Sequence, residues 1–455
     1  MQSTRLDAYN LMHEGALALA QVEANGIRID TDYLDKTRKR VKNHIKELRS
    51  RLQSHDVYRL QQKRFGQKTN LTSRAQLSKV LIHDLRYELP KTEAGSIKLD
   101  ESALESLNLD YAKLFLEFEK QNKLYGTYLK GVAREVVDGF LHPVFNLHLV
   151  TTFRSSSDSP NFQNIPIRNP EVAKEIRRAF IPRDGHVLVE IDYSALEFRI
   201  ASCFWRDPKM VEYASDPTKD IHRDCAAQIF KTSKEQVNKN TRYCAKNMFV
   251  FPELYGSTYA PCAAAAWEAM ETLSLVVGET PMREHFRSKG ISKLGLCDMK
   301  QPAQPSTFEW HMKNVESDFY KWFPVLKERR DRFWKEYQTR GYFDLMTGFR
   351  IKGVYRRNFV LNAIIQGPAF HLLLWSVTQL VRWCRQNKTK TKIVGQIHDS
   401  VIADVHKSEL DEFLAVAKTT MTTRAKENFS WVITPLEIEA EVAETNWYEK
   451  KAIEI

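Results

Sequence analysis

Cysteine pairs, long apolar runs and internal repeats are missing from this sequence, and each absence excludes a class of protein. The six cysteines form no CxxC pair and no cluster with histidine, which argues against structural zinc and disulfides and fits a reducing compartment. No apolar run approaches the roughly 20 residues that a membrane span needs. Residues 1–21 are polar and helical in pattern, unlike a signal peptide. We therefore expect a cytoplasmic protein without a membrane partner.

The sequence does contain a large hydrophobic fraction and an excess of positive charge. With 455 residues, of which 43% are hydrophobic, the chain can bury a large core. A chain of this length is expected to divide into roughly two to four lobes. The 68 basic and 57 acidic residues give a net charge of +11, a moderate excess that favours a polyanionic partner without specifying one.

Two short apolar segments, far apart in the chain, each end in an aspartate. Residues 187–191 precede Asp192, and residues 392–397 precede Asp399. Runs of this kind are typical of buried strands that present a carboxylate at the edge of a sheet. Two such carboxylates brought together would repel each other unless a hard divalent cation lay between them. Paired Mg²⁺ ions held in this way catalyse phosphoryl and nucleotidyl transfer, although either aspartate alone is interpreted more simply as the end of a strand.

The segments around these strands predict the order helical lobe, half of a sheet, helical lobe, remainder of the sheet. We predict helices at 31–65, 111–137, over most of 207–342 and at 359–384, and strands at 141–152, 186–192 and around Asp399. A long helical insertion between strands of one sheet implies that its two ends meet. The two aspartates lie at those ends.

A cationic helix face lies within the insertion. Arg242 and Lys246 are four residues apart, so both side chains project from one side of a helix. Phe251 and Tyr255 follow one to two turns later. This pattern suits a triphosphate at one end and a flat base at the other, although an isolated Arg/Lys pair is usually a solvated surface.

Taken together, these segments resemble the polymerase I family (family A) of DNA polymerases. Residues 192–199 resemble its motif A, residues 242–256 its motif B and residues 396–400 its motif C. The resemblance extends, in the right order, over the segments 23–30, 152–156, 160–166 and 362–367. It therefore covers nearly the whole chain.

The resemblance implies a multidomain α+β protein shaped as a right hand. Its palm would be an antiparallel sheet, and its fingers and thumb would be helical. The expected divisions are an N-terminal lead-in (1–30), the thumb (31–140), the first half of the palm with motif A (141–206), the fingers with motif B (207–350) and the second half of the palm with motif C (351–455).

The same resemblance implies a DNA-directed DNA polymerase that adds dNTPs to a primer 3′-hydroxyl on primer–template DNA. Asp192 and Asp399, with the main-chain carbonyl of Tyr193, would hold two Mg²⁺ ions, for which Mn²⁺ can substitute. One ion would lower the pKa of the primer hydroxyl, and the other would neutralise charge on the leaving pyrophosphate. Arg242 and Lys246 would grip the triphosphate, and Lys246 would also donate a proton.

The remaining roles that the resemblance implies concern the sugar, the phosphates and the DNA. Glu197 would be a steric gate against a ribose 2′-hydroxyl, fixed by a hydrogen bond to Tyr255. The other implied roles are His222 near the β- and γ-phosphates, Phe251 beside the sugar, Arg154 and Gln366 reading the minor groove, Asn362 on the same DNA-binding helix, and His398 supporting the primer terminus.

Three substitutions depart from the family pattern. Ser400 stands where many members have a second carboxylate, so the metal ions should rest on Asp192 and Asp399. Ala195 replaces a common glutamine and should remove only a local hydrogen bond. Phe153 replaces a glycine, which puts the backbone geometry beside Arg154 in question.

A fourth departure is one inserted residue in motif B. Counting back from Tyr255 places the family's aromatic residue at Phe251, whereas counting forward from Lys246 places it at Val250. We predict that a π-bulge or kink between Lys246 and Pro252 absorbs the insertion. The resemblance associates this variant with phage-like members, and thus with a bacterial or phage-infected cell.

Only about twenty residues precede the lead-in motif, too few for an exonuclease domain, so extension without 3′→5′ proofreading is expected. A processivity factor or a separate exonuclease stays open as a partner. Two other hypotheses are a single-subunit RNA polymerase and a non-catalytic DNA-binding subunit. Glu197 and Phe251 argue against the first, and the intact set of Asp192, Asp399 and the two motif B cations argues against the second.

Overall fold

The computed structural model describes residues 3–90, 96–167 and 169–455. Residues 91–95 of the predicted thumb range, and residues 1–2 of the predicted lead-in, lie outside this part. The protein consists of helical lobes arranged around a central antiparallel sheet, so the expected α+β class is confirmed.

The first lobe is helical, as its amphipathic pattern predicts. Leu34, Val41, Ile45, Leu48 and Leu52 line the buried face of α2, and Lys and Arg are frequent on its other faces. A π-helical segment, Leu124–Leu129, joins α6 to α7. The helices of this lobe are Arg5–Asn25 (α1), Thr31–Ser54 (α2), Asp56–Phe65 (α3), Arg74–His83 (α4), Glu101–Ser106 (α5), Asp110–Lys123 (α6) and Lys130–Glu135 (α7).

Short strands connect this lobe to the central sheet. Ile27–Arg28 (β1), Val136–Val137 (β2) and Phe140–Leu141 (β3) form one small sheet, and Val144–Asn146 (β4) pairs with Ser156–Asp158 (β5). The predicted strand at 141–152 is therefore wrong in extent. Its C-terminal half, from residue 147, forms bends and turns that lead into Phe153 and its left-handed backbone.

The central sheet contains five antiparallel strands in the order β11-β12-β6-β13-β14. They are His186–Tyr193 (β6), Lys392–Ile397 (β11), Ser400–His406 (β12), Ile438–Ala443 (β13) and Lys451–Ile453 (β14). In the register of β6, Asp192 lies opposite Ser400 on β12 and opposite Glu439 on β13. Because His398 and Asp399 form the turn of the β11–β12 hairpin, this register brings the two predicted aspartates together.

The second helical lobe is inserted between β6 and β11, as predicted. One helix, Pro170–Arg177 (α8), precedes β6. The helices of the inserted lobe are Leu196–Trp205 (α9), Pro208–Ser215 (α10), Ile221–Ile229 (α11), Lys239–Ala245 (α12), Phe251–Leu254 (α13), Tyr259–Thr272 (α14), Met282–Ser288 (α15), Phe308–Trp322 (α16) and Pro324–Arg340 (α17). Val276–Val277 (β7) and Thr280–Pro281 (β8) form a hairpin within it. Tyr342–Asp344 (β9) and Arg350–Lys352 (β10) form another hairpin. The predicted boundary between fingers and palm, at 350/351, falls inside this hairpin. The predicted boundary between thumb and palm, at 140/141, falls inside β3.

Arg357–Gln386 (α18) is the long helix that runs through the core. It packs against α1 and α9. Among the described residues it is the one helix long and apolar enough to cross a membrane, but 83% of that apolar window is buried inside the protein, as in a core helix. Leu410–Thr419 (α19), a π-helical segment at Thr420–Arg424 and Ala425–Asn428 (α20) complete the fold.

Candidate active site

The two predicted aspartates are neighbours at the end of the central sheet. The backbone N–H of Tyr193 donates to the carbonyl oxygen of Asp399 at 3.4 Å, so Asp399 lies directly beside the residue that follows Asp192. Although Asp192 is open to solvent in the cleft, the surrounding protein removes much of its hydration. This enclosure and the neighbouring Asp399 charge raise the pKa of Asp192. The pair thus concentrates negative charge that a cation would neutralise.

The ligands available here suit magnesium. Mg²⁺ prefers oxygen donors, and it is commonly bound by one or two carboxylates, with water and substrate phosphates completing its shell. Among the described residues, no cluster of three or more His, Cys, Asp or Glu side chains is placed to hold a metal. Two carboxylates without further protein side chains are the ligand set of a Mg²⁺ ion that also binds water and substrate phosphates. The buried Tyr193 hydroxyl bonds to Ser376 at 2.9 Å and to the Met421 carbonyl at 2.8 Å, which anchors the backbone beside Asp192.

The surroundings of the pair explain one departure and reveal one acid that the motifs did not indicate. Ser400 donates its hydroxyl to the Ile397 carbonyl at 3.0 Å and so closes the hairpin turn. Glu439, opposite Asp192, accepts a 2.9 Å hydrogen bond from Ser194, and its charge also raises the pKa of Asp192. The only sequence signal for Glu439 was the alternation of glutamates along β13.

The cationic helix face is present and is oriented by an acid. Arg242 donates to Asp220 at 2.6 Å, and Asp220 also caps α11 by accepting the backbone N–H of His222 at 3.0 Å. Burial raises the pKa of Asp399, and the nearby Lys246 charge partly opposes that rise, so this cation lies close to the acid pair. Arg242 lines one cavity with Glu439, the residue opposite Asp192, so both motif B cations lie near the acids.

His222 lies beneath the cations and is buried. Its ring lies 5.7 Å from the ring of Phe251. Burial, together with the charges of Arg242 and Lys246, lowers the pKa of His222 to about 3, so the imidazole is neutral at physiological pH. The structure thus places His222 next to the predicted phosphate-binding residues as an uncharged group.

The predicted distortion of the motif B helix is confirmed. Regular helix ends at Ala245, residues Lys246–Val250 form a π-helical segment, and a single α-turn, Phe251–Leu254, follows. One extra residue is accommodated in such a wider turn. Val250 points into the core, whereas Phe251 stacks on Tyr255 at 6.0 Å and lies 5.3 Å from the Lys246 ammonium. The register counted back from Tyr255 is therefore the one that the fold adopts.

A hydrogen bond joins the second helical lobe to motif A across the cleft. The Tyr255 hydroxyl donates to Glu197 at 2.6 Å, as the resemblance led us to expect. Burial and the Glu197 charge raise the pKa of Tyr255, so it stays protonated as the donor. Gln366 accepts a 2.9 Å hydrogen bond from Arg154, and its side chain lies close to the Tyr255 hydroxyl. Four predicted residues thus form one continuous chain of contacts.

Phe153 takes the backbone conformation that a glycine would adopt freely. Its φ is +58°, in the left-handed region where a side chain is strained. The conformation is held by a 3.1 Å contact between the Phe153 carbonyl and His371, and by packing of its ring 4.8 Å from Phe349. Arg154 keeps its reach to Gln366 despite the substitution.

The last two predicted DNA-binding residues border the cleft in different places. Asn362 lies one turn before Gln366 on α18 and is half-buried. His398 is exposed in the β11–β12 turn, and it lines a cavity of about 920 Å³ between the first helical lobe and the sheet. Lys120 and Lys123 line the same cavity together with Glu101 and Glu119, so its lining carries charges of both signs.

Comparison with known proteins agrees with this geometry. The family model for DNA polymerase family A matches residues 31–266 and 313–449. DNA polymerase I of Lactococcus lactis subsp. cremoris is 27% identical over 452 residues, which cover 96% of this chain and 45% of that protein. The thermostable DNA polymerase I of Thermus filiformis is 28% identical over 450 residues, 95% of this chain and 47% of that protein. The chain thus spans about half the length of the curated relatives it matches.

A solved structure shares the fold. The polymerase domain of Pol1 from M. smegmatis, in complex with a DNA primer–template and dNTP, superposes with a TM-score of 0.74 at 22% identity. The likeness covers 96% of this chain and 70% of that one. At this level of identity the comparison supports the architecture of the protein.

Proposed function

Because the chain belongs to DNA polymerase family A, we propose that it extends a DNA primer on a DNA template by adding dNTPs to the primer 3′-hydroxyl. Its fold is the right-hand arrangement of palm, fingers and thumb. The observation that carries the proposal is the pairing of Asp192 with Asp399 close to Arg242 and Lys246. The division into a thumb (31–140), fingers (207–350) and two palm segments (141–206 and 351–455) is also part of this proposal.

Asp192 and Asp399, with the main-chain carbonyl of Tyr193, would hold two Mg²⁺ ions. When bound, these ions would lower the pKa of the primer 3′-hydroxyl and neutralise negative charge on the leaving pyrophosphate. Arg242 binds the triphosphate in the orientation that Asp220 gives it. Lys246 binds beside it and donates a proton to the leaving pyrophosphate oxygen. Because their positions are fixed, these cations provide positive charge where negative charge develops during the reaction.

Three groups of residues would select the nucleotide and the primer terminus. Glu197, held by Tyr255, occupies the space that a ribose 2′-hydroxyl requires. Arg154 and Gln366 carry donors suited to the purine N3 and pyrimidine O2 acceptors, which look alike in every correct base pair. His398 lies at the turn next to Asp399, where it can support the primer end.

A primer-extension assay tests the function. A labelled primer on a DNA template should be extended with dNTPs and Mg²⁺, should stop when EDTA is added, and should resume when excess Mg²⁺ restores the free ion. The same reaction on an RNA template gives the template class. If the protein bound primer–template but extended the primer in none of these reactions, including those with Mg²⁺, the non-catalytic DNA-binding subunit would be favoured instead.

Phe251→Tyr should increase the use of dideoxynucleotides. Phe251 lies beside the expected sugar position. A tyrosine hydroxyl there can replace the hydrogen bond that a dideoxynucleotide lacks, so the ratio of ddNTP to dNTP use should rise by about tenfold. The measurement is the ratio of kcat/KM for ddNTP and dNTP. Phe333→Tyr, a partly buried phenylalanine on α17, is the control. An unchanged ratio in Phe251→Tyr would contradict the sugar-side assignment.

A further inference from the structure

A buried glutamate lies between the two residues assigned to the sugar. Glu253 is 0% exposed and belongs to α13, the single turn that carries Phe251 and precedes Tyr255. It is separate from the acid pair, the motif B cations and the gate. A buried carboxyl group is costly unless its hydrogen bonds are satisfied, so its partners indicate what it holds in place.

The α13 turn depends on contacts outside itself for its position. The π-helical segment interrupts the regular hydrogen bonding before it, and Pro252 contributes no N–H. A single turn is also too short to be stable alone. Contacts with the neighbouring helices must therefore determine where Phe251 and Tyr255 lie.

Glu253 supplies these contacts with both its side chain and its backbone. Tyr320, on α16, donates its hydroxyl to the Glu253 carboxyl group at 2.6 Å. Arg330, on α17, donates to the Glu253 carbonyl oxygen at 2.8 Å and also to the Tyr320 hydroxyl. The thiol of Cys262, on α14, lies 3.7 Å from the second carboxyl oxygen. One residue thus fastens the turn to three surrounding helices.

The electrostatics of this cluster favour a protonated Glu253. Burial, reinforced by the nearby Glu316 carboxyl group, raises the pKa of Glu253 to about 8. Glutamine has the shape of a protonated glutamate, so it can accept from Tyr320 and donate to Glu316. Methionine has a similar length and can do neither.

We propose that Glu253 is a positioning residue that sets nucleotide selectivity, because it fixes the turn from which Phe251 and Tyr255 reach the sugar. Tyr255 in turn holds Glu197 across the cleft through a 2.6 Å hydrogen bond, and that bond requires α13 to stay in place. The inference rests on the proposed polymerase function. It predicts that loss of the Glu253 hydrogen bonds releases the gate while the acid pair and the motif B cations stay intact.

Four variants test the inference by the ratio of kcat/KM for a dNTP to that for the matching rNTP. Glu253→Met and Tyr320→Phe should lower this ratio by about tenfold, the change expected for loss of a hydrogen bond to a carboxyl group. Glu253→Gln should keep the ratio within about twofold of wild type, because the amide restores the hydrogen bonds. Tyr320→Phe deletes one hydroxyl and nearly preserves the volume of the side chain, so this variant can still test the inference if Glu253→Met does not fold.

Glu309→Gln is the matched control. Glu309 is also a buried acid of the same lobe, on α16, with 1% exposure, and no hydrogen-bond partner for its carboxylate occurs among the described residues. Its variant should keep the wild-type ratio. An unchanged ratio in folded Glu253→Met and Tyr320→Phe, or an equal fall in Glu309→Gln, would overturn the inference. Failure of the wild-type protein to extend a primer would instead refute the proposed function.

Discussion

Replacing Asp399 or Asp192 with asparagine should reduce primer extension by about 10³-fold or more, because several kcal/mol of metal-dependent charge stabilisation is removed. Asparagine preserves the shape of each side chain but removes the charge that would hold the ions. Single-nucleotide incorporation measured by rapid quench gives the rate directly. Binding of primer–template should stay within about twofold, since phosphate contacts elsewhere dominate affinity.

Two controls separate this effect from misfolding. The neighbouring carboxylates repel each other, so removing one should leave the melting temperature unchanged or raise it. Ser400→Ala, on the same hairpin, deletes only a hydroxyl that bonds within the turn, and it should keep nearly full activity. Substantial turnover in Asp399→Asn, or a comparable fall in activity in Ser400→Ala, would contradict the assigned roles.

Glu197→Ala should raise ribonucleotide incorporation by about 100-fold relative to dNTP incorporation, because the gate excludes the 2′-hydroxyl by steric clash. Glu197 is the acceptor of the Tyr255 hydrogen bond, so Tyr255→Phe should show a smaller change in the same direction. The measurement is again the ratio of kcat/KM values with dNTP and rNTP. Glu336→Ala, an exposed acid on α17, is the control.

The same measurement decides between a DNA polymerase and a single-subunit RNA polymerase. If the wild-type protein used dNTPs and rNTPs equally, Glu197 would not be a gate and the RNA polymerase hypothesis would gain support. If Glu197→Ala left a strong preference for dNTPs unchanged, discrimination would have to lie elsewhere in the cleft.

The parts of the site that depend on local pattern could be predicted from the sequence. The strands ending at Asp192 and Asp399 were evident from their β-branched runs, and the inserted helical lobe required their ends to meet. Counting residues in motif B in both directions predicted a distortion before Pro252, and the π-helical segment lies there. The association with phage-like members stays a prediction.

The parts that depend on packing between distant segments could not be predicted. The replacement of a glycine by Phe153 raised a question about the backbone there, but the sequence did not show that contacts with His371 and Phe349 maintain a left-handed conformation. The location of Glu439 opposite Asp192 follows from the register of β13 against β6, which the sequence does not specify. Glu253 was visible within motif B, but Tyr320 and Arg330, two of its partners, lie more than sixty residues away in the chain.

The claim on which these roles depend is that the carboxylates at 192 and 399 jointly bind divalent cations. Electron paramagnetic resonance of Mn²⁺, titrated into the protein with primer–template and dNTP bound, measures this directly. We expect tight Mn²⁺ binding in the wild-type complex and loss of at least one tightly bound ion in Asp399→Asn and in Asp192→Asn. Identical Mn²⁺ stoichiometry and affinity in all three proteins would contradict the account.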